Sequence, residues 1–143
     1  MSRDPKWRVG AILVSEDGRR MSMGFNGLVR GLAETPENWV KPKTHTCIKH
    51  AETNALAWAD FDKRGSTLYC VLKPCSACLG DAINCGVARI VWLSMDQEAS
   101  DEYYGSEWFE LAKLIKTSYY KMDNKTKAII AAYGAANVMI DSY

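Results

Sequence analysis

The sequence has a small net charge and no long apolar segment. The first feature argues against a nucleic-acid-binding protein, and the second argues against a membrane-spanning one. Lysine and arginine total 18 against 17 aspartate and glutamate, a formal net charge of +1, which argues against a protein built to hold a long nucleic-acid backbone. The first residues lack the apolar core of a secretory signal. The longest weakly polar run, over residues 128–140, is too short to span a bilayer. We therefore expect a cytoplasmic protein without a membrane partner.

The sequence also lacks the features of a disulfide framework and the length for a second domain. Its 143 residues fit one domain over 1–143, with a core over about 7–93 and C-terminal helices over about 105–140. A chain of this length buries roughly 68–70% of its unfolded surface, so it needs neither disulfides nor a metal merely to fold. Five cysteines, an odd number without an export signal, indicate free thiols and metal ligands.

The β-type segments predict a mixed sheet. Runs over 9–15 and 21–27 flank Asp17 and Gly18, a strong turn signal that predicts an antiparallel hairpin. A long surface loop, of a length that is usually functional, follows over 27–43. Further strands are predicted over 66–72 and 88–93, and the second is almost wholly apolar, as is typical of a strand in a parallel sheet.

Helical spacing of apolar residues alternates with these strands. It predicts four helices, over residues 50–61, 75–85, 107–116 and 125–140. Gly86 fits the end of the second helix, and Asn124 is the expected N-cap of the last one. The order β-β-α-β-α-β followed by helices predicts an α/β fold of three layers, α-β-α, in which a β-hairpin precedes parallel strands of a mixed sheet.

Two short motifs combine one imidazole with two thiols. His50-Ala51-Glu52 opens one predicted helix, and Pro74-Cys75-Ser76-Ala77-Cys78 opens another. One histidine and two cysteines with an open fourth position are the ligands of a catalytic zinc. The two cysteines, three apart on a helix, share a face, and a helix N-terminus favours their thiolate forms. Glu52 would lie beside zinc-activated water without ligating the metal, placed to take and return protons.

The residues alone leave other interpretations of these groups open. His50, Cys75 and Cys78 could hold a structural zinc completed by Cys47, Cys85 or His45. Glu52 could be an ordinary first-turn acid that the helix dipole stabilises. His45 and Cys47 could belong to a second metal site, whereas Cys70 and Cys85 fit small core residues better than ligands.

The H-x-E and P-C-x-x-C pair is the signature of zinc nucleobase deaminases. Residues 7–93 resemble the cytidine deaminase superfamily, and within it most closely the deoxycytidylate (dCMP) deaminases. Those enzymes pair a GYNG-type strand end with a HAExNA helix. The corresponding segments are Gly24-Phe25-Asn26-Gly27 and His50-Ala51-Glu52-Thr53-Asn54-Ala55.

The resemblance implies hydrolytic deamination of dCMP to dUMP and ammonia, supplying thymidylate synthesis, with one catalytic Zn²⁺ per chain held by His50, Cys75 and Cys78. Zinc-activated hydroxide would attack C4 of cytosine, while Glu52 protonates N3 and then the leaving amine. Asn26 would contact the sugar or flanking groups of the nucleotide, and Asn54 would face the same pocket. The resemblance further implies a homo-oligomer, a hexamer, and a nucleotide effector such as dCTP or dTTP.

The phosphate of such a substrate requires cations or backbone amides. Arg30, Lys43 and Lys73 are candidates because they lie near the motifs in sequence, although each could be an ordinary solvated charge. Two other functions stay open: a polynucleotide deaminase acting on transfer RNA adenosine or single-stranded DNA cytosine, and a zinc-stabilised binding module without turnover. The near-neutral charge favours a free nucleotide, and no polynucleotide partner is expected.

Overall fold

The computed structural model describes residues 2–6, 8–94 and 101–128, and the elements within them form an α/β fold. In chain order they are β1 (Gly10–Val14), β2 (Met21–Phe25), β3 (Gly27–Leu28), a 3₁₀ helix (Pro36–Trp39), α1 (Thr44–Cys47), β4 (Ile48–Lys49), α2 (Ala51–Trp58), β5 (Thr67–Cys70), α3 (Ser76–Asn84), β6 (Arg89–Ser94), α4 (Asp101–Ala112) and β7 (Lys116–Lys121). No helix within the described ranges has both the length and the apolar character to cross a membrane.

Five of these strands form one mixed sheet in the order β2-β1-β5-β6-β7. Strand β1 runs antiparallel to both β2 and β5, whereas β5, β6 and β7 are mutually parallel. The predicted hairpin is confirmed, since its turn places Gly18 at φ +74° and Asp17 accepts a hydrogen bond from the Arg19 backbone. Strands β3 and β4 form a separate two-stranded ladder.

One face of the sheet is covered by a layer of helices. Helix α2 lies over β1 and β2, α3 lies beside α2, and α4 lies beside α3. Leu13, Leu68 and Ile90 are directly opposite one another across β1, β5 and β6, and all three are fully buried. This apolar row forms the centre of the core under the helices.

The other face of the sheet is more open at its β2 end. Ile12 pairs with both Met23 and Tyr69, and these side chains are 38%, 58% and 38% exposed. The predicted last helix is described only over residues 124–128, so most of it lies outside the described residues. Asp123, rather than Asn124, caps this segment, because its side chain accepts the Thr126 backbone N–H at 2.6 Å.

The sequence prediction was wrong between residues 107 and 121. The helix expected over 107–116 is α4, which ends at Ala112, and residue Lys116 instead begins β7. Strand β7 is an edge strand on which nearly every residue is exposed. Its residues therefore lack the apolar alternation that would have revealed a strand.

Helix α2 approaches strand β2 without an intervening side chain. A Cβ atom added to Gly24 would collide with the Ala51 carbonyl oxygen and the Ala55 amide nitrogen. Nearby, the Ser22 hydroxyl donates to the Ala55 carbonyl at 2.8 Å. Asn54 also donates from its side-chain amide to the Phe25 carbonyl at 2.7 Å. The first half of α2 is therefore fixed against the end of β2.

We expect Gly24→Ala to destabilise the protein by about 1–3 kcal/mol, the usual cost of overpacking a core, because α2 must shift to admit the methyl group. Gly27→Ala is the matched control, since a Cβ there meets nothing within 4 Å. Urea unfolding of both variants measures the difference. Equal stabilities for the two variants would show that the close approach at Gly24 is not required.

Candidate active site

The N-termini of α2 and α3 bring the two sequence motifs together. His50 is the N-cap of α2 and Cys75 is the N-cap of α3, and the two helices pack side by side. Both capping residues have extended backbone, with ψ of 156° and 167°. Cys78 lies in the first turn of α3. The two loop-to-helix junctions therefore place all three predicted ligands at one site.

The spacing of these three side chains fits a zinc ion. His50 Nδ1 lies 3.3 Å from Cys78 Sγ and 3.5 Å from Cys75 Sγ, and the three ligand atoms lie within 4.8 Å of one another. Tetrahedral zinc holds nitrogen at about 2.0–2.1 Å and sulfur at about 2.3 Å, which separates the two ligands by roughly 3.5 Å. The three side chains thus form a candidate zinc site.

The surroundings of the site leave one side of it open. His50 is exposed, Cys75 is half-buried and Cys78 is buried, so an ion there would be covered mainly from the helix side. Cys47 and Cys85, two of the residues that could have completed a structural site, are outside the ligand group found among the described side chains. The side chain of His45 lies outside the description. Three protein ligands with an exposed edge are typical of a catalytic zinc.

Glu52 lies in the first turn of α2 beside these ligands. It is 5% exposed, and its carboxylate is not part of the three-residue ligand group. Burial raises the pKa of Glu52 above its ordinary value, because the apolar surroundings disfavour the charged form. A raised pKa brings a carboxyl closer to the neutral range, in which a general acid and base must both take and return a proton.

The pKa values of the two cysteine thiols are shifted in opposite directions. The hydrogen bond with Cys78, followed in effect by the one with His50, lowers the pKa of Cys75 to about 4. The same contact with Cys75 raises the pKa of Cys78. A hydrogen bond to Cys75 also raises the pKa of His50. In the metal-free site the thiolate therefore forms more readily on Cys75 than on Cys78.

A buried tryptophan supports the loop that precedes Cys75. Trp108 of α4 is 5% exposed and donates from its indole nitrogen to the Pro74 carbonyl at 2.8 Å. The Ser76 hydroxyl also donates to the Tyr104 carbonyl at 3.4 Å. This supporting role of α4 has no signal in the sequence, because a contact between residues 34 positions apart leaves no local pattern.

The structure places both predicted substrate contacts at the end of β2. Asn54 donates to the Phe25 carbonyl, and Asn26 follows that residue directly. Asn26 is 7% exposed, and its side chain binds the Val9 backbone and Asp4. Sequence reasoning missed Asp4, although Asp followed by Pro is a common turn signal. Nucleotide contact by either asparagine stays a prediction.

The three phosphate candidates lie on different parts of the chain and contact different protein groups. The Arg30 guanidinium lies over the Trp58 ring at 4.1 Å. Lys43 donates to the Asn38 side chain at 2.9 Å. The Lys73 ammonium lies 4.0 Å from the Tyr104 ring centre and 4.3 Å from that of Trp108. Their role in phosphate binding also stays a prediction.

Comparison with known families agrees with this geometry. Residues 1–94 match the family described as the cytidine and deoxycytidylate deaminase zinc-binding region. The chain belongs to this deaminase family. The deaminase is therefore an enzyme, and hydrolytic deamination is general in its family. Its metal is zinc. His50, Cys75 and Cys78 form the candidate zinc site.

Alignments with individual relatives cover most of the deaminase chain. It is 27% identical over 148 residues to the deoxycytidylate deaminase of Mus musculus, covering 95% of this chain and 79% of that protein. It is 29% identical over 122 residues to the Homo sapiens protein of the same name, covering 80% of this chain and 65% of that one. The apo crystal structure of dCMP deaminase from cyanophage S-TIM5 is 26% identical, with a TM-score of 0.58, over 78% of this chain and 79% of that chain. The predicted deaminase-like α/β fold is confirmed.

We expect zinc binding to the metal-free deaminase to release protons. Zinc binds neutral imidazole and thiolate, while the raised pKa values of His50 and Cys78 keep protons on these groups as pH falls. Zinc affinity should therefore rise with pH across the neutral range. Calorimetric titration in two buffers of different ionisation enthalpy counts the protons. An affinity that does not change between about pH 6 and 8 would contradict this account.

Proposed function

We propose that this deaminase converts dCMP to dUMP and ammonia. The dUMP would supply thymidylate synthesis. The observation that carries the proposal is the buried carboxyl of Glu52 beside a three-ligand metal site with an exposed edge. The mouse and human relatives named deoxycytidylate deaminase support the choice of dCMP. A formal net charge of +1 also favours a free nucleotide over a polynucleotide.

The chemistry requires two proton transfers, and Glu52 is the residue to which the proposal assigns both. Water adds to C4 of cytosine and the C4–N4 bond breaks, so one proton must reach N3 and another must reach the departing amine. His50, Cys75 and Cys78 would hold the zinc, which supplies Lewis-acid activation of water. Glu52 would take the proton from water and deliver it to N3, then carry the second proton to the amine. Its raised pKa suits both directions of transfer.

The substrate would lie between the metal ligands and the end of β2. Asn54 is four residues after His50 on α2, and its bond to the Phe25 carbonyl ties the helix to that strand end. Asn26 would contact the sugar or flanking groups, and Arg30, Lys43 and Lys73 stay candidates for the phosphate. The hexamer and the nucleotide effector likewise stay predictions.

We expect the zinc-loaded protein to deaminate dCMP in preference to dCTP, deoxycytidine or a cytosine-containing oligonucleotide. Loss of the cytosine absorbance measures each reaction directly. A site that binds one nucleotide should also give a weak dependence of KM on salt, since few phosphate contacts are made. Turnover of the oligonucleotide alone, with a steep salt dependence, would overturn the proposal in favour of a polynucleotide deaminase.

We expect Glu52→Gln to lower kcat by at least about 10²- to 10⁴-fold, the contribution of a positioned proton carrier, while the protein keeps about one zinc per chain. The matched control is Glu110→Gln, because Glu110 is exposed and pairs only with Lys113 in the described ion pairs. Steady-state kinetics and metal analysis test both variants. Loss of zinc together with activity in Glu52→Gln would mean that Glu52 holds the metal site together instead.

A further inference from the structure

The side chain of Asn26 is enclosed by the N-terminal segment of the chain. Its Oδ1 accepts the Val9 backbone N–H at 2.8 Å, and its Nδ2 donates to Asp4 Oδ2 at 3.2 Å. Its backbone is fixed as well, because the Asn26 N–H donates to the Val9 carbonyl and the Ser2 hydroxyl donates to the Asn26 carbonyl. Both ends of the amide are therefore held by named partners.

These two side-chain contacts determine which side of the Asn26 amide carries the oxygen and which carries the NH₂ group. A backbone N–H can only donate, and an ionised carboxylate can only accept. Rotation of the Asn26 amide by 180° would place its NH₂ against the Val9 N–H and its oxygen against the Asp4 carboxylate, so both contacts would become repulsive. Asp4 and Val9 together allow one orientation of this amide.

Hydrogen bonds hold Asp4 in a fixed position, so its carboxylate can orient the Asn26 amide. Its other oxygen, Oδ1, accepts the Lys6 backbone N–H at 2.8 Å, the pattern of an Asx turn. Its own N–H donates to the Ser2 hydroxyl at 3.2 Å. Ser2 and Asp4 are each 7% exposed. The carboxylate that faces Asn26 is thus buried, and its second oxygen is held by the Lys6 backbone.

The orientation of Asn26 matters for the site because of its location. Asn26 directly follows Phe25, the last residue of β2, and Phe25 is bonded to Asn54 on the helix that carries His50 and Glu52. An inverted amide would exchange donors for acceptors at this edge of the site. A nucleotide hydroxyl or phosphate would then meet the wrong polarity.

We propose that Asp4 is a positioning residue that fixes the polarity of the Asn26 amide toward the nucleotide; this rests on the proposed function. Asp4 does not itself touch the substrate. Its carboxylate makes Asn26 present its NH₂ end in one direction, so substrate binding depends on whether residue 4 can accept a hydrogen bond from Asn26. The N-terminal segment is in this way part of the determinant of nucleotide affinity.

The test compares Asp4→Asn with the exchanged pair Asp4→Asn/Asn26→Asp. Lys6 and Asn26 bind different oxygens of Asp4, so in Asp4→Asn the single amide oxygen can face only one of them and the NH₂ group faces the other. We expect KM for dCMP to rise about tenfold, with kcat within about twofold of wild type and zinc unchanged. The exchanged pair can remake the three side-chain hydrogen bonds described above, to Val9, to Lys6 and between residues 4 and 26, yet its carboxylate at position 26 offers no N–H to the nucleotide.

The exchanged pair separates positioning from simple structural support. We expect it to regain the wild-type Tm while KM stays raised at least tenfold. Recovery of both Tm and KM in the exchanged pair would overturn the proposal, as would an unchanged KM in Asp4→Asn.

A wild-type protein that does not deaminate dCMP would refute the proposed function and not the role of Asp4. In that case the side-chain amide NMR signals of Asn26 provide the test. We expect one slowly exchanging NH₂ pair in wild type, and shifted, faster-exchanging signals in Asp4→Asn. Identical signals in the two proteins would show that Asp4 does not orient the amide.

Discussion

Helix α2 lies against strand β2 at Gly24, where a side chain on the strand would collide with the helix backbone. This approach sets the height of the α2 N-terminus above the sheet and therefore the position of His50 and Glu52. Because α3 packs beside α2, the same constraint decides whether Cys75 and Cys78 reach the imidazole. Separations of 3.3 and 3.5 Å leave little tolerance, since a shift of one ångström would exceed the range of zinc–ligand bonds.

The electrostatics of the site depend on two features: the charge balance between the thiolates and zinc, and the burial of the Glu52 carboxyl. Two thiolates match the charge of a divalent ion, so the ligands can bind zinc without a further buried anion. Glu52 is the remaining acid, and burial raises its pKa, which would disfavour a permanent charge next to Cys75 and Cys78. A carboxyl with a raised pKa suits a proton carrier better than a metal ligand, and Glu52 is not one of the three residues in the ligand group.

Local patterns predicted the site better than they predicted its supports. The motifs around His50 and Cys75 predicted the three side chains that the structure brings together, because residues three or two apart at a helix start share one environment in any fold. The edge strand β7 was missed because its exposed residues carry no apolar period. The contact of Trp108 with the Pro74 carbonyl and that of Asp4 with Asn26 join residues more than 20 positions apart. Such pairs are created by the tertiary fold and have no local signal.

X-ray absorption spectroscopy of the zinc-loaded protein tests the central claim most directly, namely that His50, Cys75 and Cys78 form a three-ligand zinc site with an open position. The account predicts two sulfur atoms at about 2.3 Å, one imidazole, and one further light atom at about 2.0–2.1 Å. In Cys78→Ser one of the two sulfur contributions should disappear. A third sulfur or a second imidazole in the wild-type protein would mean four protein ligands, a closed structural site, and would contradict the account.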